Sequence, residues 1–242
     1  MDIQVKRKRP ENLSDPGKDF SSWHLQDILA KPDCELIWSD FQDLFGPHLP
    51  AGTYEEIVYF LPFGFQYLVL PESESLDTVS AVFGFCSKNS FGLEKDGIKE
   101  QVDQAILGCL DFWTQCFEIV HLDEKACKRK GWKREYFDYV KNSELLFCGL
   151  KNLIELKTYE QMAISFLWKL GDHNGNAIKA AWFLESSRAR LNVYGPPPHP
   201  DIDSLLCDKD LLKSAFEVVE RKMISEIKAS TYWMDVSLRL DL

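Results

Sequence analysis

The sequence predicts a mainly α-helical protein: a single globular helical domain of roughly 8–10 helices behind a charged N-terminal arm. Three observations predict it. Apolar side chains recur at helical spacing over several long stretches, most regularly at 97–120, where Ile98, Val102, Ala105, Ile106, Cys109, Leu110, Trp113, Phe117 and Val120 form one stripe and Glu100, Asp103 and Asp111 fall off it. Two capping boxes, Thr53 with Glu56 and Thr158 with Gln161, stand ahead of apolar runs, where side chains must satisfy the orphan N–H groups of a helix start. The chain of 242 residues is 45% apolar and no Gly- or Ser-rich stretch divides its middle, so one core is expected from residue 21 to 242.

Residues 1–20 are polar and punctuated by Pro10, Pro16 and Gly17, too poor in apolar surface to offset the entropy of ordering, and read as a flexible arm. The basic run Lys6, Arg7, Lys8, Arg9 before Pro10 has the composition of a nuclear-import or anion-binding patch. Residues 22–45 read as two short helices separated near Pro32, with Trp23, Leu25, Ile28 and Leu29 on the first and Leu36, Ile37, Trp38, Phe41 and Leu44 on the second. The helix opening at Thr53 is apolar all round, which marks a central element, and Pro62 should kink or break it by removing a backbone donor. Leu76, Val79, Val82, Phe83 and Cys86 continue at helical spacing.

After the 97–120 helix and a basic insert at 125–134, residues 136–156 resume a helical or mixed pattern. The Thr158 box opens a helix carrying Met162, Ile164, Phe166, Leu167 and Leu170, with Gly171 as its stop; 172–176 is a turn and 177–191 a further helix. The proline-rich 194–203 cannot be helical. Leu212, Phe216, Val219, Met223 and Ile227 mark a last helix over 209–227, and the period-two alternation at 236–242 allows a short C-terminal strand.

The segment 54–68 (YEEIVYFLPFGFQYL), followed downstream by 158–167 (TYEQMAISFL), resembles a family of small bacterial proteins of unknown function, with an aromatic-LeuPro helix and a later helix opening on Thr or Ser, Glu and Gln. The resemblance covers these two patches; it implies a helical fold and no activity.

The net charge is −10, unevenly spread: residues 1–10 carry four basic side chains and one acid, 125–134 six basic and none, and the remainder stands at −19. Such a field repels nucleic acid and anionic lipid and attracts a basic partner. The longest apolar run, 57–71, is shorter than the ~20 residues of a membrane helix and is broken by Pro62, Gly64 and Gln66, and no apolar run follows the basic N-terminus as a secretory signal requires, so the expected location is cytoplasmic. Of seven scattered cysteines without a CxxC pair, most read as reduced core thiols.

Phosphate-loop, serine-elbow and zinc-protease motifs are absent, which points away from an enzyme, and no cofactor is expected. The best reading is an acidic, non-catalytic protein-binding module, of inhibitor or immunity type, that engages a basic partner. An alternative is a metal-assisted hydrolase with His173, His199, Asp201 and Asp203 as ligands on inter-helix loops, since imidazole and carboxylate suit a divalent cation. A further alternative is RNA contact through the basic segment 125–134, whose Lys128, Arg129, Lys130, Trp132, Lys133 and Arg134 interleave cation and aromatic and are the candidates for contact with a partner. His24 and His48 have no clustered partner in the sequence.

Overall fold

The computed structural model describes residues 3–15, 21–46, 52–70, 76–121, 138–141, 143–175, 177–179, 181, 182, 204, 206 and 208–222. The fold is mainly α-helical, as expected. The chain divides into two compact units: Met1–Trp113 with Lys151–Tyr159, and Thr114–Leu150 with Glu160–Leu242.

The first unit begins with α1 (Ser22–Ala30), a 3-10 turn at Asp33–Glu35 and α2 (Trp38–Phe45). At the start of α2, Asp40 is 2% exposed, and its carboxylate accepts from the Ile37 N–H at 2.9 Å and from Lys31 Nζ at 2.7 Å, so the buried charge is satisfied twice. The Thr53 capping box forms as predicted: α3 (Tyr54–Ile57) opens with Glu56 accepting from the Thr53 N–H at 2.8 Å. The break at Pro62 also appears. The chain tightens into a 3-10 turn at Val58–Phe60 and restarts as α4 (Leu61–Leu68), with Pro62 in the first turn, where its missing N–H would have had no helical partner. Then follow α5 (Leu76–Lys88), α6 (Ser90–Lys95) and α7 (Lys99–Gln115).

Helices α2 and α4 pack on α5, and aromatic rings fill the space between. Phe45 lies 5.0 Å from Phe85, Phe41 5.3 Å from Tyr67, and Phe83 6.1 Å from Trp113, whose indole N–H donates to the Leu68 carbonyl at 3.0 Å. That bond satisfies a carbonyl at the end of α4, one of the groups a helix leaves open. The predicted faces of α1 and α2 hold only in part: Leu25, Ile28, Leu36, Phe41 and Leu44 are buried, but Trp23 is 70% and Trp38 50% exposed.

In the second unit, α7's predicted continuation to residue 120 is replaced. The helix stops at Gln115, and β1 (Glu118–His121) pairs antiparallel with β2 (Asp138–Lys141), Glu118 opposite Lys141 and His121 opposite Asp138. Ile119 and Val120 are β-branched, and the strand preference of such residues outweighs the helical spacing at the end of the stripe. Helix α8 (Ser143–Glu155) follows. Lys157 and Thr158 belong to the first unit: Lys157 adopts φ +53°, and the Thr158 hydroxyl accepts from Ser87 Oγ of the same unit at 2.9 Å rather than capping a helix, while in the second unit α9 (Glu160–Gly171) begins two residues after Thr158. Lys179 Nζ donates to the Gly171 carbonyl at 2.5 Å and so caps the end of α9; burial lowers the pKa of this amine. Helix α10 (Lys209–Lys222) is capped by Asp208, whose Oδ1 accepts from the N–H groups of Asp210 and Leu211, both at 3.0 Å. Phe166, Leu167, Leu170, Trp182, Leu212 and Phe216 are buried here. The 236–242 segment lies outside the described residues.

Candidate functional site

Among the described residues, the most developed arrangement of charged groups lies in the first unit, on the segment the sequence presents as a loose arm. Residues 3–15 form no helix or strand, so their backbone must find other partners. The Gln4 N–H donates to Gln101 Oε1 at 2.8 Å, and Ser14 donates through both N–H (3.1 Å) and Oγ (2.7 Å) to Glu56 Oε2, the carboxylate that also caps α3. Ile3 is buried. Low hydropathy denies the segment a core of its own, and over 3–15 these contacts with the helices hold it against the first unit.

The basic run alternates along this segment. Lys6 and Lys8 are exposed, whereas Arg7 and Arg9 are half-buried in two seats. In the first, Arg7 Nε donates to Asp96 Oδ2 and Nη2 to Asp96 Oδ1, each at 3.0 Å, a bidentate pair that matches the planar guanidinium fork. The guanidinium lies 5.8 Å from the Tyr54 ring centroid, and the Tyr54 hydroxyl donates to Asp96 Oδ2 at 3.1 Å. Behind it the Tyr54 ring stacks on Phe85 at 6.1 Å. The Arg7 hydrogen bonds hold the Asp96 carboxyl below its ordinary range, and Asp96 in turn raises Arg7. Burial, reinforced by Asp96, keeps Tyr54 protonated far above the usual phenol range.

In the second seat, Arg9 Nη1 lies 2.8 Å from Asp33 Oδ1, and Nη2 donates to the carbonyls of Lys31 (2.5 Å) and Ile28 (3.4 Å) at the C-terminal end of α1, where a cation also complements the helix dipole. The guanidinium sits 5.7 Å from the Phe60 ring centroid, and the Tyr59 hydroxyl donates to Asp33 Oδ2 at 2.6 Å. This seat is less complete than the first. Arg9 Nε is buried with no acceptor, and Asp33 Oδ1 is in ion-pair range of Arg9 without a well-directed hydrogen bond.

Comparisons with protein-family models, curated proteins and solved structures give no match.

The residues the sequence nominated fare differently. His173 is exposed, and its Nδ1 accepts from the Gly175 N–H at 2.9 Å, the local turn expected of 172–176. His199, Asp201 and Asp203 lie outside the described residues, as do Lys128, Arg129, Lys130, Trp132, Lys133 and Arg134. Among the described residues no group of three or more His, Cys, Asp or Glu side chains is placed to hold a metal. His24, which had no partner in the sequence, has Nε2 2.7 Å from Asp43 Oδ2. No described helix is long and apolar enough to cross a membrane. Sequence reasoning missed Asp33, Asp96, Tyr54 and Phe60 as site residues. The one available signal was the strict Lys-Arg alternation at 6–9, which puts the two forked cations on one side of the chain.

Proposed function

We propose that the chain is a non-catalytic binding module whose first unit engages a basic segment of a partner protein, as an inhibitor or immunity-type protein does. The observation that carries this reading is the first seat: a carboxylate backed by a tyrosine hydroxyl and an aromatic face, holding a guanidinium in bidentate geometry. Such a seat selects arginine over lysine, because only a planar fork meets both oxygens while lying near the ring. The −19 balance outside the two basic segments supports it further, since it steers cationic partners toward the surface and turns anionic ones away.

Fluorescence anisotropy tests the reading. The full chain is titrated into a labelled basic peptide carrying spaced arginines and into an acidic control, at low and at physiological salt. The basic peptide should bind, and the added salt should weaken it as the Debye length shortens. A chain that binds neither peptide, or binds both alike at either salt, contradicts the proposal.

A further inference from the structure

Resting on that reading, we propose that the two seats together recognise an Arg-x-Arg segment of another protein, and that the chain's own residues 3–15 are a cis occupant which such a segment displaces. The seats hold side chains two positions apart, Arg7 against Asp96 and Arg9 against Asp33, while the intervening Lys8 is exposed. Recognition therefore reads two guanidinium forks at fixed spacing and ignores the residue between.

The arm is seated as an exchangeable ligand would be. It forms no secondary structure with the unit, and apart from the buried Ile3 its anchors are individual polar contacts that keep some solvent access: Arg7 and Asp96 keep 35% and 21% of their side-chain surface. The second seat is also under-filled, with Arg9 Nε buried and unpaired. A guanidinium entering from another chain, free of the path imposed by residues 10–15, can align its own fork on Asp33 and donate to Oδ1, the acceptor that Arg9 leaves without a well-directed hydrogen bond. The fully covered positions of this unit contrast with the arm: Asp40, likewise paired to a cation, is sealed within the helices.

Tethering sets the size of the competition. An occupant on the same chain acts at an effective concentration on the order of millimolar. A cis occupant with an intrinsic Kd of about 10–100 μM then weakens any trans ligand by about 10- to 100-fold, the ratio of the two, and weakening the occupant should restore that factor.

The probe is a synthetic peptide copying residues 3–15, added to isotope-labelled full-length chain, with a second peptide in which both arginines are lysine. The expected result has three parts. The arginine peptide binds and the lysine peptide binds much more weakly. The Gln4 and Ser14 amides of the labelled chain lose their protection from hydrogen exchange as the peptide is added. The full-length variant Arg7→Lys/Arg9→Lys, which keeps the arm's charge, binds the arginine peptide about 10- to 100-fold more tightly than the wild type. Salt-sensitive peptide binding with the arm amides still protected, and no gain in the variant, would overturn the displacement while leaving the binding module standing. Failure of both chains to bind any basic peptide overturns both. Melting of the variant at the wild-type temperature confirms that it is folded, and the exchange measurement on the unaltered chain is decisive without it.

Discussion

Two glycine-to-alanine substitutions should move stability in opposite directions, and the pair measures how tightly the first seat is built. Alanine in a helix gains about 0.5–1 kcal/mol over glycine by losing less backbone freedom on folding. At Gly84 in α5 nothing lies within 4 Å of an added Cβ, so Gly84→Ala should realise that gain in full. At Gly92 in α6 an added Cβ would stand 2.8 Å from Tyr54 Cζ and 2.9 Å from Cε1, well inside carbon–carbon contact distance at about 3.5–4.0 Å. A free tyrosine ring would swing aside cheaply. This one stacks on Phe85 and donates from its hydroxyl to Asp96, so moving it loosens both the ring packing and the seat. Overpacking of this kind costs about 1–3 kcal/mol, which exceeds the propensity gain, and the net expectation for Gly92→Ala is a loss of about 1–2 kcal/mol. Because two compact units need not unfold together, the measurement is native-state hydrogen exchange at first-unit amides such as Val102, which donates to the Ile98 carbonyl. Gly92→Ala should speed exchange by about 5- to 30-fold, with the Gln4 amide of the arm affected as well, and Gly84→Ala should slow it by a factor of about 2–5. If both substitutions slow exchange equally, Tyr54 is not pinned and the account of the seat is wrong.

Three further outcomes follow from the described contacts. Asp96 and Glu56 have pKa values below their ordinary range: Arg7 holds Asp96 down, and at Glu56 burial is outweighed by hydrogen bonds from Thr53 and Ser14. A depressed folded pKa gives stability that is present above the unfolded carboxylate value of about 4 and lost as pH falls through the folded one, so amide resonances of Gln4 and Ser14 should hold their positions from neutral pH to about 5 and shift only below about 4; release centred above that range would contradict the assignment. Trp113→Phe removes the indole N–H from the buried Leu68 carbonyl and should cost about 1–3 kcal/mol in urea unfolding of the first unit, whereas a neutral result would mean the carbonyl finds another donor. In the native chain a thiol reagent should modify exposed Cys34 and spare Cys86 and Cys109, which are buried, burial pushing Cys109 up to about 12 and Cys86 higher still; mass spectrometry locates the modified sites, and rapid labelling of Cys86 would refute its burial.

What the sequence discloses and what it withholds divide along range. The Thr53 box, the break at Pro62 and the buried stripe from Val102 to Trp113 are all consequences of neighbours within a few residues, and all appear in the structure. The helix end at Gln115 is also local, but there two local preferences conflict, and the helical spacing of Phe117 and Val120 masks the strand tendency of Ile119 and Val120. The seats are a different matter. Arg7 and Asp96 are 89 residues apart, and the periodicity of either segment carries no trace of the other. Composition alone judged the arm by the apolar surface it could bury, which is the correct criterion for folding unaided and the wrong one for docking on a finished surface. Ordering costs about 1–2 kcal/mol per residue, and a net hydrogen bond returns only about 1. A short polar segment held by a few charged contacts is consequently bound with little margin, and the same scarcity of apolar residues that suggested a free arm makes the docked arm replaceable.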